Sequence, residues 1–353
     1  MTNEDPEVST FEWIPPGTIP PTGDAATPHL AGDLADDLLA TIENRGLTAA
    51  DLVRKVARET CAWLNAEGCP DPGVAKSLLD HELSLLRDAH AWRGTVARFL
   101  AALEAVAAKV PDDGNPALRE ALSTECARWQ AGDPELLPDR GRCAASLLEE
   151  GSILPAAGLE SGEVILIHGW SETVARGVEF ALAKGIKPEI IVSEGGPDLG
   201  GRRLARRLVA SGLNVRFIYD ASLMDAVRRV DRLWLGTESL GTRHFVGRVG
   251  TGAALERAHD LDIPSAVIAT TDKMTPDGHV AEPSWSAEES WHLWEGAPHG
   301  VTVESQSFEV VPLELVGAFA TDEGLFGALE FANWATERIT ASDASQRQPA
   351  PRS

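Results

Sequence analysis

The sequence predicts an α/β protein in which a helical N-terminal domain precedes a Rossmann-like domain with a mainly parallel sheet. Two textures carry that expectation. From Leu30 to about Gly132 apolar residues recur at helical spacing, and after Gly158 short apolar runs alternate with helical stretches of ten or more residues. The first pattern gives each helix one stripe to bury; the second is the rhythm of βαβ units, whose parallel strands are covered on both faces. A length of 353 residues suits two such domains.

Residues 1–28 carry Pro6, Pro15, Pro16, Pro20, Pro21 and Pro28 among Thr, Gly and Asp, which predicts a disordered arm. The helical domain is expected over 29–150. Its stripes are Leu34, Leu38, Leu39 and Ile42, then Leu52, Val53 and Val56, then Leu78, Leu79, Leu83 and Leu86. Its joints are Gly46, with Thr48 as N-cap, then Gly68 to Gly73 and Pro111 to Pro116. Trp63, Trp92 and Trp129 fall where helices would pack. The ligand-binding domain is expected over 151–340. Its strands are read at 164–168, 190–194, 215–220, 232–238 and 265–272, with helices at 172–185, 201–212 and 250–262. The polar, proline-ended stretch 341–353 predicts a disordered tail.

A formal charge of −23 repels nucleic-acid phosphate over most of the surface, so nucleic acid is not an expected partner. No apolar run approaches the roughly 20 residues a membrane helix needs. Cys61, Cys69, Cys126 and Cys143 form no C-x-x-C pair and fit a reduced, cytoplasmic protein in which they are small buried hydrophobes. No cofactor or metal is called for.

Ligands of parallel sheets bind at the carboxyl ends of the strands, which directs attention to the loops that start at His168, Glu194, Asp220, Glu238 and Thr271. In the first, His168-Gly169-Trp170-Ser171-Glu172 opens a helix. Ser171 is read as its cap or a ligand contact, and His168 as a proton carrier or a core residue. The second holds Glu194, Gly195 and Gly196, followed by Arg202 and Arg203, with glycines for close approach and arginines for phosphate. After the fourth come Arg248, Gly250 and Thr251 at a helix start, an anion site if N–H groups and a hydroxyl converge there.

Taken in order, these segments resemble the family that joins the alpha, beta and delta subunits of translation initiation factor two-B with methylthioribose-1-phosphate isomerase and ribose-1,5-bisphosphate isomerase. The resemblance runs from about Ile153 to Phe326. It lies in VILIHGWSETV, IIVSEGGPDLGGRRLARRLVASGLNV, VDRLWLGTESL, VGRVGTGAALERAHDLDIPSAVIA and FEVVPLELVGAFATDEG. It implies the helical-plus-Rossmann-like layout, a homodimer and a phosphorylated small molecule as ligand. In the isomerases of the family a first-loop cysteine and a fourth-loop aspartate interconvert aldose and ketose forms of a phosphorylated pentose. Here those positions are Gly169 and Glu238, the arginine of Glu-x-Arg-Pro is Gly196, and the Asn-Lys pair is Gly247-Arg248.

The leading expectation is an isomerase-like protein that binds a phosphorylated pentose or nucleotide, with Glu238 and His168 as proton carriers. Ser171, Glu194, Gly195, Arg202, Arg203, Arg248, Gly250 and Thr251 would then be ligand contacts. The alternative is a non-catalytic regulatory or assembly protein like the initiation-factor subunits, with Glu238 held in a structural pair and Trp170 plugging the cleft. A third expectation is the same fold turned to different chemistry. The stretch 276–299, with Trp285, Trp291 and Trp294 beside His279, His292 and His299, is read as a dimer contact or a lid, its histidines lacking a metal-ligand spacing.

Overall fold

The computed structural model describes residues 38, 41–42, 47–67, 69, 71–90, 92–110, 116–140, 142–148, 154, 156–275, 293–294 and 296–347. Four long helices form the N-terminal region: α1 (Ala49–Leu64), α2 (Pro72–His90), α3 (Gly94–Lys109) and α4 (Pro116–Ala131). Thr48 caps α1 as expected, its hydroxyl accepting from the Asp51 N–H at 3.2 Å. Most of the expected stripe residues are buried, but Leu78 is exposed because it sits off the packed face of α2, and Leu34 and Leu39 lie outside the described residues. Leu52, Val53, Val56, Leu79, Leu83 and Leu86 pack with Phe99 and Trp129, which meet edge to face at 5.4 Å.

A helical turn α5 (Arg142–Ala145) leads into the sheet domain, whose strands and helices follow in alternation: β1 (Val164–His168), α6 (Glu172–Ala183), β2 (Glu189–Ser193), α7 (Gly200–Ala210), β3 (Val215–Ile218), α8 (Leu223–Val227) and β4 (Arg232–Leu235). After them come β5 (Ser239–Leu240), β6 (His244–Arg248), α9 (Thr251–Asp260), β7 (Ser265–Ile268), β8 (Phe308–Pro312), β9 (Ala318–Thr321), β10 (Gly324–Phe326) and α10 (Ala328–Arg347). The main sheet has the order β10-β9-β7-β4-β1-β2-β3 and is parallel except for β10. Neighbouring residues of one strand face opposite sides: Leu166 packs with Phe245, Phe319 and Phe331, while Ile165 and Ile167 pack with residues of α6 and α7.

β5, β6 and β8 form a separate antiparallel sheet that the sequence did not announce. β5 is two residues long, too short to leave an alternating pattern. The arm expected over 1–28 lies outside the described residues. The tail expected from 341 does so only from 348, because α10 runs on to Arg347.

The two regions meet at the start of α3. The Gly94 N–H donates to the Glu238 carbonyl at 3.0 Å, and the Thr95 hydroxyl donates to buried Asp272 at 2.5 Å. A Cβ at Gly94 would collide with the Lys273 carbonyl, so the contact requires glycine.

Candidate functional site

The strand order turns back between β1 and β4, so the loops that leave their carboxyl ends diverge and open a cleft. It encloses about 810 Å³, open solvent at its mouth included. The β1 loop supplies His168 and Ser171, the β4 loop Thr237 and Glu238, and the β7 loop Asp272 and Lys273. The helical region closes the other side with Thr48–Ala50, Arg93 and Thr95. The starts of α1, α6 and α9 therefore border one space, and helix starts favour anions. Arg93, Arg140, Arg203, Arg248 and Lys273 face Glu172, Asp198, Glu238 and Asp272 there, leaving the cleft net positive in a strongly acidic chain.

Arg248 is buried and ties the end of β6 to the loop between β2 and α7. Its guanidinium donates to the Gly195 and Gly196 carbonyls at 3.2 and 3.3 Å and pairs with Asp198 at 2.9 Å. Gly169 lies against it. With φ at +69°, a Cβ added to Gly169 would sit 2.5 Å from Arg248 Nε.

Both ring nitrogens of buried His168 are engaged. Nε2 lies 2.8 Å from the Val249 carbonyl, which can only accept, so Nε2 carries the proton. Nδ1 then accepts from Ser193 Oγ at 2.6 Å, and that oxygen also accepts the Gly169 N–H at 3.2 Å. Burial pushes the imidazole pKa down, and Arg248 adds to the shift against the Val249 bond and Asp220. The ring is neutral and ties β1 to the start of α9.

Glu238 lies 3.5 Å from Arg93 Nε, an ion pair at the joint of the two regions. Neither Arg93 Nε nor Glu238 Oε2 makes a hydrogen bond among the described residues, although both are buried. Arg93 also donates through NH1 to the Leu47 carbonyl at 3.2 Å. Trp170 lies under Arg203, whose guanidinium carbon is 3.8 Å from the ring centre, and its buried indole N–H has no acceptor among the described residues. Burial lowers the Arg203 pKa, offset in part by Asp198, Glu172 and Asp51.

Of the residues expected from sequence, His168, Ser171, Arg203, Glu238, Arg248 and Thr251 line the cleft. Ser171 caps α6, accepting from the Val174 N–H at 3.3 Å. Glu194, Gly195, Arg202 and Gly250 are not among its lining residues. Arg202 is half-exposed and 4.0 Å from Glu194. The N–H groups of Gly195 and Gly196 are taken by Asp220 at 2.9 and 2.6 Å, and that of Gly252 by Glu309 at 2.8 Å. Sequence reasoning passed over Arg93, Thr95, Asp198, Asp272 and Lys273. Arg93 and Thr95 flank a Gly at a helix start, the one trace of a close approach that the helical region offered. Of the stretch 276–299, residues 276–292 and 295 lie outside the described residues; Trp294 is exposed. Among the described residues no group of three His, Cys, Asp or Glu is placed to hold a metal, and no helix is long and apolar enough to cross a membrane.

Comparison with known proteins places this geometry in a family. The ribose 1,5-bisphosphate isomerase of Haloterrigena turkmenica is 29% identical over 182 residues, covering 48% of this chain and 56% of its own length. The methylthioribose-1-phosphate isomerase of Geobacter sulfurreducens is 28% identical over 218 residues, covering 59% and 62%. The alpha subunit of translation initiation factor eIF2B from Dictyostelium discoideum is 25% identical over 216 residues, covering 53% and 67%. The chain thus spans just over half the length of the ribose 1,5-bisphosphate isomerases from Haloterrigena turkmenica, Methanocaldococcus jannaschii and Thermococcus kodakarensis. The Pyrococcus horikoshii OT3 translation initiation factor eIF-2B has the same fold, with a TM-score of 0.65 at 20% identity over 83% of this chain and 96% of that one. The sequence profile described as the initiation factor 2 subunit family matches residues 141–328, more than half of the chain. The protein belongs to that family.

Proposed function

We propose that the cleft binds a phosphorylated pentose and that Glu238 moves a proton on it, as in an aldose–ketose isomerisation served by one carboxylate. The observation that carries this reading is that, beside the Arg93 Nε–Glu238 Oε2 ion pair at 3.5 Å, the cleft holds two buried polar atoms without a hydrogen bond among the described residues, Trp170 Nε1 and Thr173 Oγ1. Each such atom costs about 1–3 kcal/mol, which a hydroxyl-rich ligand would recover by supplying partners. The start of α6 at Ser171–Thr173, the start of α1 at Thr48–Ala50 and Arg203 form the anion-favouring side. Four of the relatives named above carry names for isomerisation of sugar phosphates.

In a sugar 1-phosphate the bond from C1 to the ring oxygen breaks as that oxygen gains a proton, C2 loses a proton to give an enol phosphate, and C1 then gains a proton as the C2 hydroxyl gives up its own to become the ketone. Gly169 offers no side chain, so in this reading Glu238 serves both carbon centres. Arg93, paired with it, and Lys273, which lines the same cleft and donates to the Thr237 carbonyl, would stabilise negative charge on the enol oxygen. His168, with both nitrogens engaged, positions the start of α9. The reading includes a homodimer, supported by the exposed apolar Leu293, Trp294 and Val301.

The test is ketose formation from ribose 1,5-bisphosphate and methylthioribose 1-phosphate by wild type and Glu238→Gln. The variant should keep its ligand affinity and lose about 10²- to 10⁴-fold in turnover. Unchanged turnover would remove Glu238 from the chemistry. Tight binding without turnover by wild type favours the second reading, a non-catalytic ligand-binding regulator. The Arg93–Glu238 pair and the Arg248 side chain beside Gly169 support that alternative.

A further inference from the structure

A second groove opens beside the cleft and shares Arg140 with it. It encloses about 990 Å³, open solvent included. Arg54, Arg140 and Arg176 line it together with the apolar Leu137, Pro138 and Phe180, and Asp139 and Glu179 offset part of the positive charge. Arg54 and Arg176 are paired: Arg54 with Asp51 at 3.5 Å, Arg176 with Glu172 at 3.2 Å and Glu179 at 3.6 Å. Arg140 is different. It is half-buried and makes no hydrogen bond or ion pair among the described residues. Carboxylates outnumber cations 54 to 31 in this chain, and Arg128, Arg207 and Arg232 each pair with at least one of them. A half-buried guanidinium left unpaired in such a chain, at the junction of two cavities, points to an anion supplied from outside.

We propose that the ligand of the cleft continues past Arg140 into this groove, with a second phosphoryl group on Arg140 and a planar base against Phe180. Arginine presents a donor fork that matches phosphate oxygens, and an aromatic ring offers a stacking surface to any base. The ligand class is then a nucleotide joined through a pyrophosphate to the sugar held in the cleft, and a free pentose phosphate fills only the first half of the site. The inference rests on the sugar-phosphate reading of the cleft.

Calorimetric titration of ribose 5-phosphate and of ADP-ribose, which carries the same sugar phosphate on a nucleotide, tests it with wild type, Arg140→Ala and Phe180→Ala. ADP-ribose should bind wild type at least about tenfold more tightly than ribose 5-phosphate, and each substitution should reduce that advantage by about tenfold, the scale of one lost stacking or phosphate contact. Phe180→Ala should bind ribose 5-phosphate as wild type does, which also shows that it is folded. Equal affinities in wild type, or an advantage that survives both substitutions, would overturn the groove while leaving the sugar-phosphate cleft in place. Failure of both ligands to bind wild type would overturn the two together.

Discussion

Gly169 and Arg248 act as one unit. The backbone at Gly169 has a positive φ, and the space its side chain would occupy is filled by the Arg248 guanidinium. A first-loop cysteine and this placement of Arg248 therefore exclude each other. Arg248 is in turn held by Asp198 and two carbonyls, so part of its charge is already matched inside the protein. His168 belongs to the same cluster and gives a prediction at this scale. Burial holds its pKa below the ordinary value, so the folded state keeps it neutral. In the unfolded chain the ring takes up a proton below a pH of about 6.5. The stability it contributes is complete above that pH and is lost as the pH falls toward the depressed folded value, at up to about 1.4 kcal/mol per pH unit. Melting temperatures between pH 8 and pH 5 should fall more steeply for wild type than for His168→Gln; parallel curves would show that this ring does not govern the acid limb.

At the scale of elements, the site depends on where helices begin. α1, α6 and α9 direct their starts at one cleft, and α3 fixes the helical region against the strand ends through Gly94 and Thr95. Gly94→Ala should destabilise the protein by about 1–3 kcal/mol, because the added methyl meets backbone at Lys273 and one side of the joint must move. Urea denaturation measures this, and a change below about 0.5 kcal/mol, the usual range for a neutral surface site, would show that the joint yields freely. The elements that form the joint were legible in the sequence; the joint was not. The expected strand at 164–168 is β1, Val164–His168, because a continuous apolar run ending in a polar turn has few other readings. Helix α6 was legible from its cap and stripe together. That Arg93 meets Glu238 across 145 residues follows from packing between regions, which leaves no local period.

Across the whole molecule the balance of charge and the shape of the cleft point the same way. A chain of net charge −23 gathers five cationic side chains around one space bordered by three helix starts, and leaves buried Trp170 Nε1 and Thr173 Oγ1 there without a hydrogen bond among the described residues. The strand-end loops were legible because strand ends are fixed by the sheet. Motif order places Glu194 and Arg202 near the ligand, whereas in the structure Asp220 takes up the N–H groups of the turn after Glu194 and the two side chains are not among the residues lining the cleft. We propose that this cleft holds a phosphorylated sugar. The most direct test of this proposal is the melting temperature of wild type and Arg203→Ala with and without ribose 1,5-bisphosphate. A ligand bound only by the folded state stabilises it by about 2.7 kcal/mol at a hundredfold excess over Kd, so the melting temperature of wild type should rise and that of Arg203→Ala should rise much less. No rise in wild type, or an equal rise in both, would contradict the account.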